Sequence, residues 1–208
     1  MIVPRLQAIL DVDAAAAAGW GFRDLLAAFL DGGAQCIQIR AKQLASGRLL
    51  ELCELAVTDA TPYGAAVIVN DRADLAVLAH AAGVHVGQDD LAPAAVRALV
   101  GPDAIVGYST HTVVQVQDAV KEPVSYIAVG PVFGTRTKET GHDPVGLDFV
   151  ATAARLAGPR PVVAIGGITL ESAASVIDAG AAAVAIISDL LVDRDVTGRT
   201  RAYLRRLA

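Results

Sequence analysis

Aromatic side chains are scarce in this chain, with four Phe, four Tyr and one Trp among 208 residues. Hydrophobic residues still make up 54% of it, an excess carried mostly by Ala and Val. Small and β-branched side chains suit helices packed closely on buried parallel strands. Cysteine is nearly missing too. Cys36 and Cys53 form no CxxC pair and sit among apolar neighbours. That argues against a disulfide framework or a thiolate metal site and leaves two reduced core thiols. There is no excess of positive charge: the net charge is −5 and the Lys and Arg residues are dispersed. The electrostatic footprint of a nucleic-acid partner is therefore lacking. Any anionic ligand has to be held by a local site, not by the overall field. No Pro/Ser/Gly linker or charge block divides the sequence, so residues 1–208 read as one domain with a well-buried core. The alanine run 14–18 is too short to cross a bilayer. The stretch Met1-Ile2-Val3-Pro4-Arg5 lacks the charged segment and apolar core of a signal peptide. The expectation is a soluble, cytoplasmic protein without a membrane partner.

What the chain does have is an alternation. Short apolar runs fall at 6–12, 36–40, 66–70, 83–86, 104–107, 126–130, 161–165 and 183–187. Each is too short for a helix and reads as a buried strand. Helical spacing fills the intervals at 22–30, 49–57, 71–78, 92–99, 112–120, 147–156, 170–179 and 196–207. Repeated strand–helix units imply a parallel sheet. Eight units predict closure into a lean α/β TIM barrel, (β/α)₈, with an open doubly wound sheet as the structural alternative. No repeat is visible at the level of sequence. The Ala and Val content hints at a homo-oligomer.

In such a barrel, chemistry sits where strands end and the following loops begin. The second run ends Gln38-Ile39-Arg40-Ala41-Lys42, and strand alternation puts Gln38, Arg40 and Lys42 on one side. Arg offers a planar fork for phosphate oxygens and Lys a compact charge. A solvated strand end is the plainer alternative. The third run ends Asn70-Asp71 and the fourth leads into Gln88-Asp89-Asp90. These acids can cap helices. Asp71 and Asp90, projecting from adjacent strand ends near cations, can also hold a partly hydrated Mg²⁺ against a diphosphate. Ser109, after the fifth run, can donate to a phosphate oxygen, whereas His111 and His85 read better as structural histidines. The sixth run leads into a long polar segment with Thr135, Arg136, Thr137 and Lys138 as candidate anion ligands, either a mobile lid or a plain surface loop. The seventh ends Gly166-Gly167 and the eighth Ile187-Ser188. Paired glycines let a phosphate approach the backbone, and the loops after strands seven and eight form the recurring phosphate site of these barrels. A glycine turn without a ligand is the alternative there. The residues thus predict two anion sites in one mouth, one cationic and metal-assisted, the other a backbone cradle for a monophosphate. Facing each other, they suggest a transferase that expels diphosphate.

The runs QIRAK (38–42), VNDRADLA (69–76), GVHVGQDDL (83–91), GYSTHT (107–112), VGPVFGTRTK (129–138), VAIGGIT (163–169) and AIIS (185–188) resemble the thiamine-phosphate synthase family, in its order and over nearly the whole chain. The resemblance implies a TIM barrel that couples a pyrimidine diphosphate with a thiazole phosphate. It implies that Gln38, Ile39, Arg40, Ala41, Lys42, Asn70 and Lys138 hold the aminopyrimidine diphosphate, and that Ser109 contacts the pyrimidine. Thr135, Arg136, Thr137, Gly167, Ile187 and Ser188 would hold the thiazole phosphate, and Asp71 and Asp90 Mg²⁺. Arg40, Lys138 and Ser109 are the residues it marks as catalytic. The implied reaction is dissociative: diphosphate departs first and the thiazole nitrogen captures a pyrimidinylmethyl cation. Three departures stand out. Ala41 occupies the place of a common acidic residue, which puts in doubt a charge partner for Arg40 and Lys42. Gly134 replaces a usual Pro. The first strand ends Ile9-Leu10-Asp11 where the family often has Thr-Asp. Two rival readings share the fold: a thiazole tautomerase, which needs an acid/base such as His111 but no diphosphate–metal cluster, and a non-catalytic sensor of thiamine phosphates.

Overall fold

A computed structural model describes residues 3–134 and 143–208. The elements run β1 (Leu6–Asp11), α1 (Val12–Ala17), α2 (Phe22–Asp31), β2 (Cys36–Arg40), α3 (Ser46–Ala60), β3 (Ala66–Asn70), α4 (Ala73–Leu78), β4 (Gly83–Val86), α5 (Pro93–Val100), β5 (Ile105–Thr110), α6 (Val113–Ala119), β6 (Tyr126–Val129), α7 (Gly146–Ala157), β7 (Val162–Ile165), α8 (Ala173–Asp178), β8 (Ala183–Ile186) and α9 (Val196–Leu207). A 3₁₀ turn, Ser188–Leu191, joins β8 to α9. Neighbouring strands pair in parallel in chain order, and β8 pairs with β1, which closes the barrel and excludes the open sheet.

Strand alternation explains which side chains face where. In β1, Ala8 and Leu10 join the large core between barrel and helices, together with Leu25, Leu26, Phe29 and Leu30 of α2. Ile9 turns the other way and packs inside the barrel with Tyr126, Ala128, Val163, Ala183, Ala185 and Ile187. The scarcity of aromatics is felt here, since small and branched side chains fill the interior around the ring of Tyr126. Each fully buried Leu, Ile or Val stabilises the fold by about 1.5–3 kcal/mol. Cys36 and Cys53 are free and buried, and burial pushes both thiols up to about 12, so neither forms a ready thiolate.

Several sequence boundaries shift; the helix expected at 49–57 runs Ser46–Ala60, and three other shifts bear on the site. The first run ends at Asp11, because residues 12–17 form α1 with the Asp11 carboxylate accepting from the Ala14 amide at 2.9 Å. The fifth strand extends to Thr110, so Ser109 lies within β5. The helix expected at 170–179 begins at Ala173, because Thr169 and Ser172 form a hydrogen-bonded turn ahead of it. Among the described residues, no helix is long and apolar enough to cross a membrane.

Candidate active site

The C-terminal ends of the strands open onto one cavity of about 520 Å³. That is within the usual range for a small-molecule site. Of the sequence-derived set, Arg40, Lys42, Asn70, Asp71, Asp90 and Ser109 line the cavity, and Gly167, Ile187 and Ser188 line it as well. Nine of the expected residues thus share one chamber. Gln38 lies deeper on β2, buried, with its side-chain carbonyl oxygen lacking a hydrogen-bond donor among the described residues. Ile39 belongs to the core beneath the helices and Ala41 packs against that core, so these two contribute backbone only. Thr135, Arg136, Thr137 and Lys138, with the lid expected there, lie outside the described residues.

The two cations at the end of β2 and just after it, Arg40 and Lys42, have charge partners despite Ala41. Arg40 pairs with the buried carboxylate of Asp11, its neighbour in register on β1. Lys42 lies 2.5 Å from Asp71. Sequence reading missed Asp11 because its partner is 29 residues away. The available signal was its inward parity, two residues after Ile9, at the end of a strand.

Neither Asn70 nor Asp71 caps α4: its N-cap is Arg72, without a side-chain cap bond. Asp71 adopts a left-handed backbone, φ 64°. Its amide donates to the His85 carbonyl of the next strand at 2.7 Å. Outside Gly, this conformation is tolerated best by Asn and Asp. Asp90 likewise caps no helix. It accepts from the Gly87 amide at 2.8 Å, closing the turn after β4. The two carboxyls approach within interaction range, and the Asp71 carboxyl is raised above its ordinary value. Burial is the main cause, the Lys42 ammonium pulls it partly back, and Asp90 pushes it up again. Two crowded carboxylates that have drawn an ammonium onto themselves form a place suited to a cation. Among the described residues, no group of three or more His, Cys, Asp or Glu converges on a metal position. A hard cation there would need oxygens from a ligand and water, as Mg²⁺ commonly does.

Ser109 Oγ lies 2.8 Å from His85 Nε2, and Gln88 donates to the Ser109 carbonyl at 2.6 Å. His111 lines the cavity and its Nδ1 donates to the Gly130 carbonyl at 2.6 Å. The far wall is shaped by glycine. A Cβ on Gly167, at φ 63°, would stand 2.5 Å from the Gly134 carbonyl oxygen, and one on Gly166 2.5 Å from Pro131. The glycine pair is therefore required by the chain after β6, which packs onto it through Val132 and Phe133 amide bonds to Ile165 and Gly166. Behind this wall Asp189 joins three elements. Its Oδ2 accepts from the Leu170 amide at 3.0 Å and from Arg199 at 2.7 Å, and it also takes the Tyr203 hydroxyl.

Fold and cavity together define a (β/α)₈ barrel with a charged chamber at the strands' C-terminal rim, the place where barrels of this architecture keep their active sites. Comparison with known proteins narrows this. The family model described as thiamine monophosphate synthase matches residues 12–190, and the chain belongs to that family. It is 45% identical over 198 residues to the thiamine-phosphate synthase of Koribacter versatilis, covering 92% of this chain and 90% of that protein. It is 42% identical over 190 residues to the one from Roseiflexus sp., covering 91% and 80%. Among solved structures, the thiamine phosphate pyrophosphorylase of Pyrococcus furiosus superposes with a TM-score of 0.87 at 26% identity, over 98% of this chain and 95% of that one.

Proposed function

We propose that this protein couples an aminopyrimidine methyl diphosphate to a thiazole monophosphate, giving thiamine phosphate and diphosphate. Family membership makes it a transferase. The observation that carries the reading is one chamber with Arg40, Lys42 and the Asp71–Asp90 pair together with Gly167, Ile187 and Ser188. The first group fits a diphosphate and its counter-ion, the second a phosphomonoester approaching backbone.

Asp71 and Asp90 would hold Mg²⁺, which when bound supplies positive charge to neutralise the leaving diphosphate. The chain's own residues do the remainder. Arg40, fixed by Asp11, presents its fork toward the diphosphate oxygens without a search through rotamers. The Lys42 ammonium, now on Asp71, is within reach of the same oxygens. The Gln38 side-chain carbonyl, buried without a donor among the described residues, is the acceptor that an exocyclic amino group would satisfy. Asn70 and Ser109 supply further polar contacts to the pyrimidine. The bond between the pyrimidinylmethyl carbon and the diphosphate oxygen breaks with its electron pair leaving on oxygen. The thiazole nitrogen then donates its lone pair to that carbon. No protein nucleophile is needed, and stabilisation of the departing charge is the main catalytic demand. Lys138 is assigned to the same leaving group, and Thr135, Arg136 and Thr137 to the thiazole phosphate. We place the reaction in the cytoplasm, in keeping with two buried, free cysteines, and expect copies of the chain to associate.

The carboxylate pair distinguishes this reading from the tautomerase, which has no use for a diphosphate-linked cation, and from a sensor, which would tolerate loss of the acids. The test is to mix both phosphorylated halves with the protein, with and without Mg²⁺, and to measure thiamine phosphate and diphosphate. Mg²⁺-dependent formation of both in equal amounts is expected. Isomerisation of a thiazole carboxylate alone, or binding without turnover, would refute it.

A further inference from the structure

Below the cavity, the barrel interior carries a polar string whose inner members have no part in the coupling as described. Tyr126 of β6 is fully buried, and its hydroxyl lies 2.9 Å from His85 Nδ1. The opposite ring nitrogen, Nε2, lies 2.8 Å from Ser109 Oγ at the chamber wall. The two rings stack with centroids 5.6 Å apart and planes 19° from parallel. Gly107 of β5 makes the space: a Cβ there would stand 2.2 Å from the Tyr126 ring and 2.5 Å from His85 Nδ1. The barrel has thus given up a side chain in its own core to seat this pair.

The direction of the string follows from counting protons. Burial pushes the Tyr126 phenol far above its ordinary range, so it keeps its proton. A buried O–H that fails to donate carries an unrepaid desolvation cost; the Gln7 side chain also meets this hydroxyl, as a donor that favours the phenolate, which leaves His85 Nδ1 as the acceptor among the described residues. A ring whose Nδ1 accepts is the neutral tautomer with its proton on Nε2. Nε2–H then donates to Ser109 Oγ, and the serine's own proton cannot be given back to the histidine. It must turn toward the chamber.

Building on the assignment of Ser109 to the pyrimidine, we propose that His85 and Tyr126 are positioning residues that fix the Ser109 hydroxyl as a donor into the cavity. The ligand atom opposite Ser109 is then an acceptor, an unprotonated ring nitrogen of an aminopyrimidine and not its amino group. Without the Tyr126 hydroxyl, Nδ1 loses the donor that selects the Nε2–H tautomer. Ser109 can then donate inward and leave its lone pairs facing the ligand, which reverses the match.

Two measurements on the full-length protein test this. Long-range ¹H–¹⁵N NMR at neutral pH reads the His85 tautomer, assigned by comparison with His85→Gln. The Nε2–H tautomer is expected, and Tyr126→Phe should shift it toward a mixture. A wild-type ring protonated on Nδ1, or on both nitrogens, overturns the proposal. Kinetics supply the second readout. Tyr126→Phe, which keeps the ring, should lower kcat/KM for the pyrimidine diphosphate about ten-fold, with the thiazole phosphate KM unchanged. In a Ser109→Ala background the same substitution should do nothing further. An equal loss in both backgrounds means that Tyr126 acts by packing alone, and the proposal falls. A wild-type protein that couples nothing refutes the proposed function instead, and the tautomer then decides the hydrogen-bond direction by itself.

Discussion

Asp71 shows how much one residue can carry. Its backbone is left-handed one residue before the N-cap of α4, and its carboxyl interacts with Lys42 and Asp90 and caps no helix. Its proton is held more tightly in the folded chain than in the unfolded one, because burial and Asp90 outweigh Lys42. The linked contribution to stability is present at acid pH and is lost as pH rises through the raised native value. Asp71→Asn, which suits the same backbone, is therefore expected to melt no lower than the wild type at neutral pH while coupling falls by about two orders of magnitude. Thermal scans beside turnover assays check this, and a large drop in melting temperature would show that the acid is kept for the fold. The same shift sets a pH dependence. A bound cation needs both carboxylates ionised, so the Mg²⁺ concentration for half-activation should climb as pH falls through the raised Asp71 value. An activation constant flat across that range would contradict the assignment of the pair to the metal. Sequence showed Asp71 and Asp90 as candidates but left capping open, since the two roles differ only in backbone conformation. Asp11 was invisible as a partner because the contact exists only once β1 lies beside β2.

Among elements, the wall made by the segments after β7 and β8 depends on α9. Asp189, in the turn after β8, holds the Leu170 amide after β7, and Arg199 and Tyr203 of α9 hold Asp189. Removing the cation strands a buried carboxylate beside the chamber. Arg199→Met is expected to destabilise the protein by about 3 kcal/mol. It should also raise KM for the thiazole phosphate more than for the pyrimidine diphosphate. Denaturant titration and paired KM measurements check both parts, and equal rises would mean the wall is not the monophosphate side. Gly167→Ala puts a side chain at φ 63° and 2.5 Å from the Gly134 carbonyl. It should cost at least about 1–2 kcal/mol from the backbone alone, read in the same titration. The glycine pair was legible as a special position, but its physical reason was not. Sequence pointed to a ligand approaching the backbone, and the structure adds the close approach of the chain after β6 to a pair that also lines the cavity. The late start of α8 has a similar origin, in a Thr169–Ser172 turn that helical periodicity does not register.

At the scale of the whole molecule, the alternation of β-branched runs with amphipathic segments was sufficient to read the barrel, because each strand is buried on both faces and each helix on one. The short α1 escaped, since its four alanines carry no periodicity. Inward parity also accounts for much of the site. Residues two apart on β2 (Gln38, Arg40) and on β5 (Gly107, Ser109) point into one interior, and the barrel converts that parity into a polar core under a charged mouth. What the linear pattern could not supply was distance around the ring. His85, Tyr126 and Gly107 look unremarkable one by one and form a stack only when β4, β5 and β6 are neighbours.

A crystal structure of the protein with Mg²⁺, diphosphate and thiamine phosphate tests the central claim of two opposed anion sites in one chamber. The metal should rest on Asp71 and Asp90, the diphosphate beside it against Arg40, and the phosphomonoester against Gly167 and Ser188. A metal held by neither aspartate, or a phosphomonoester outside the chamber, would contradict it.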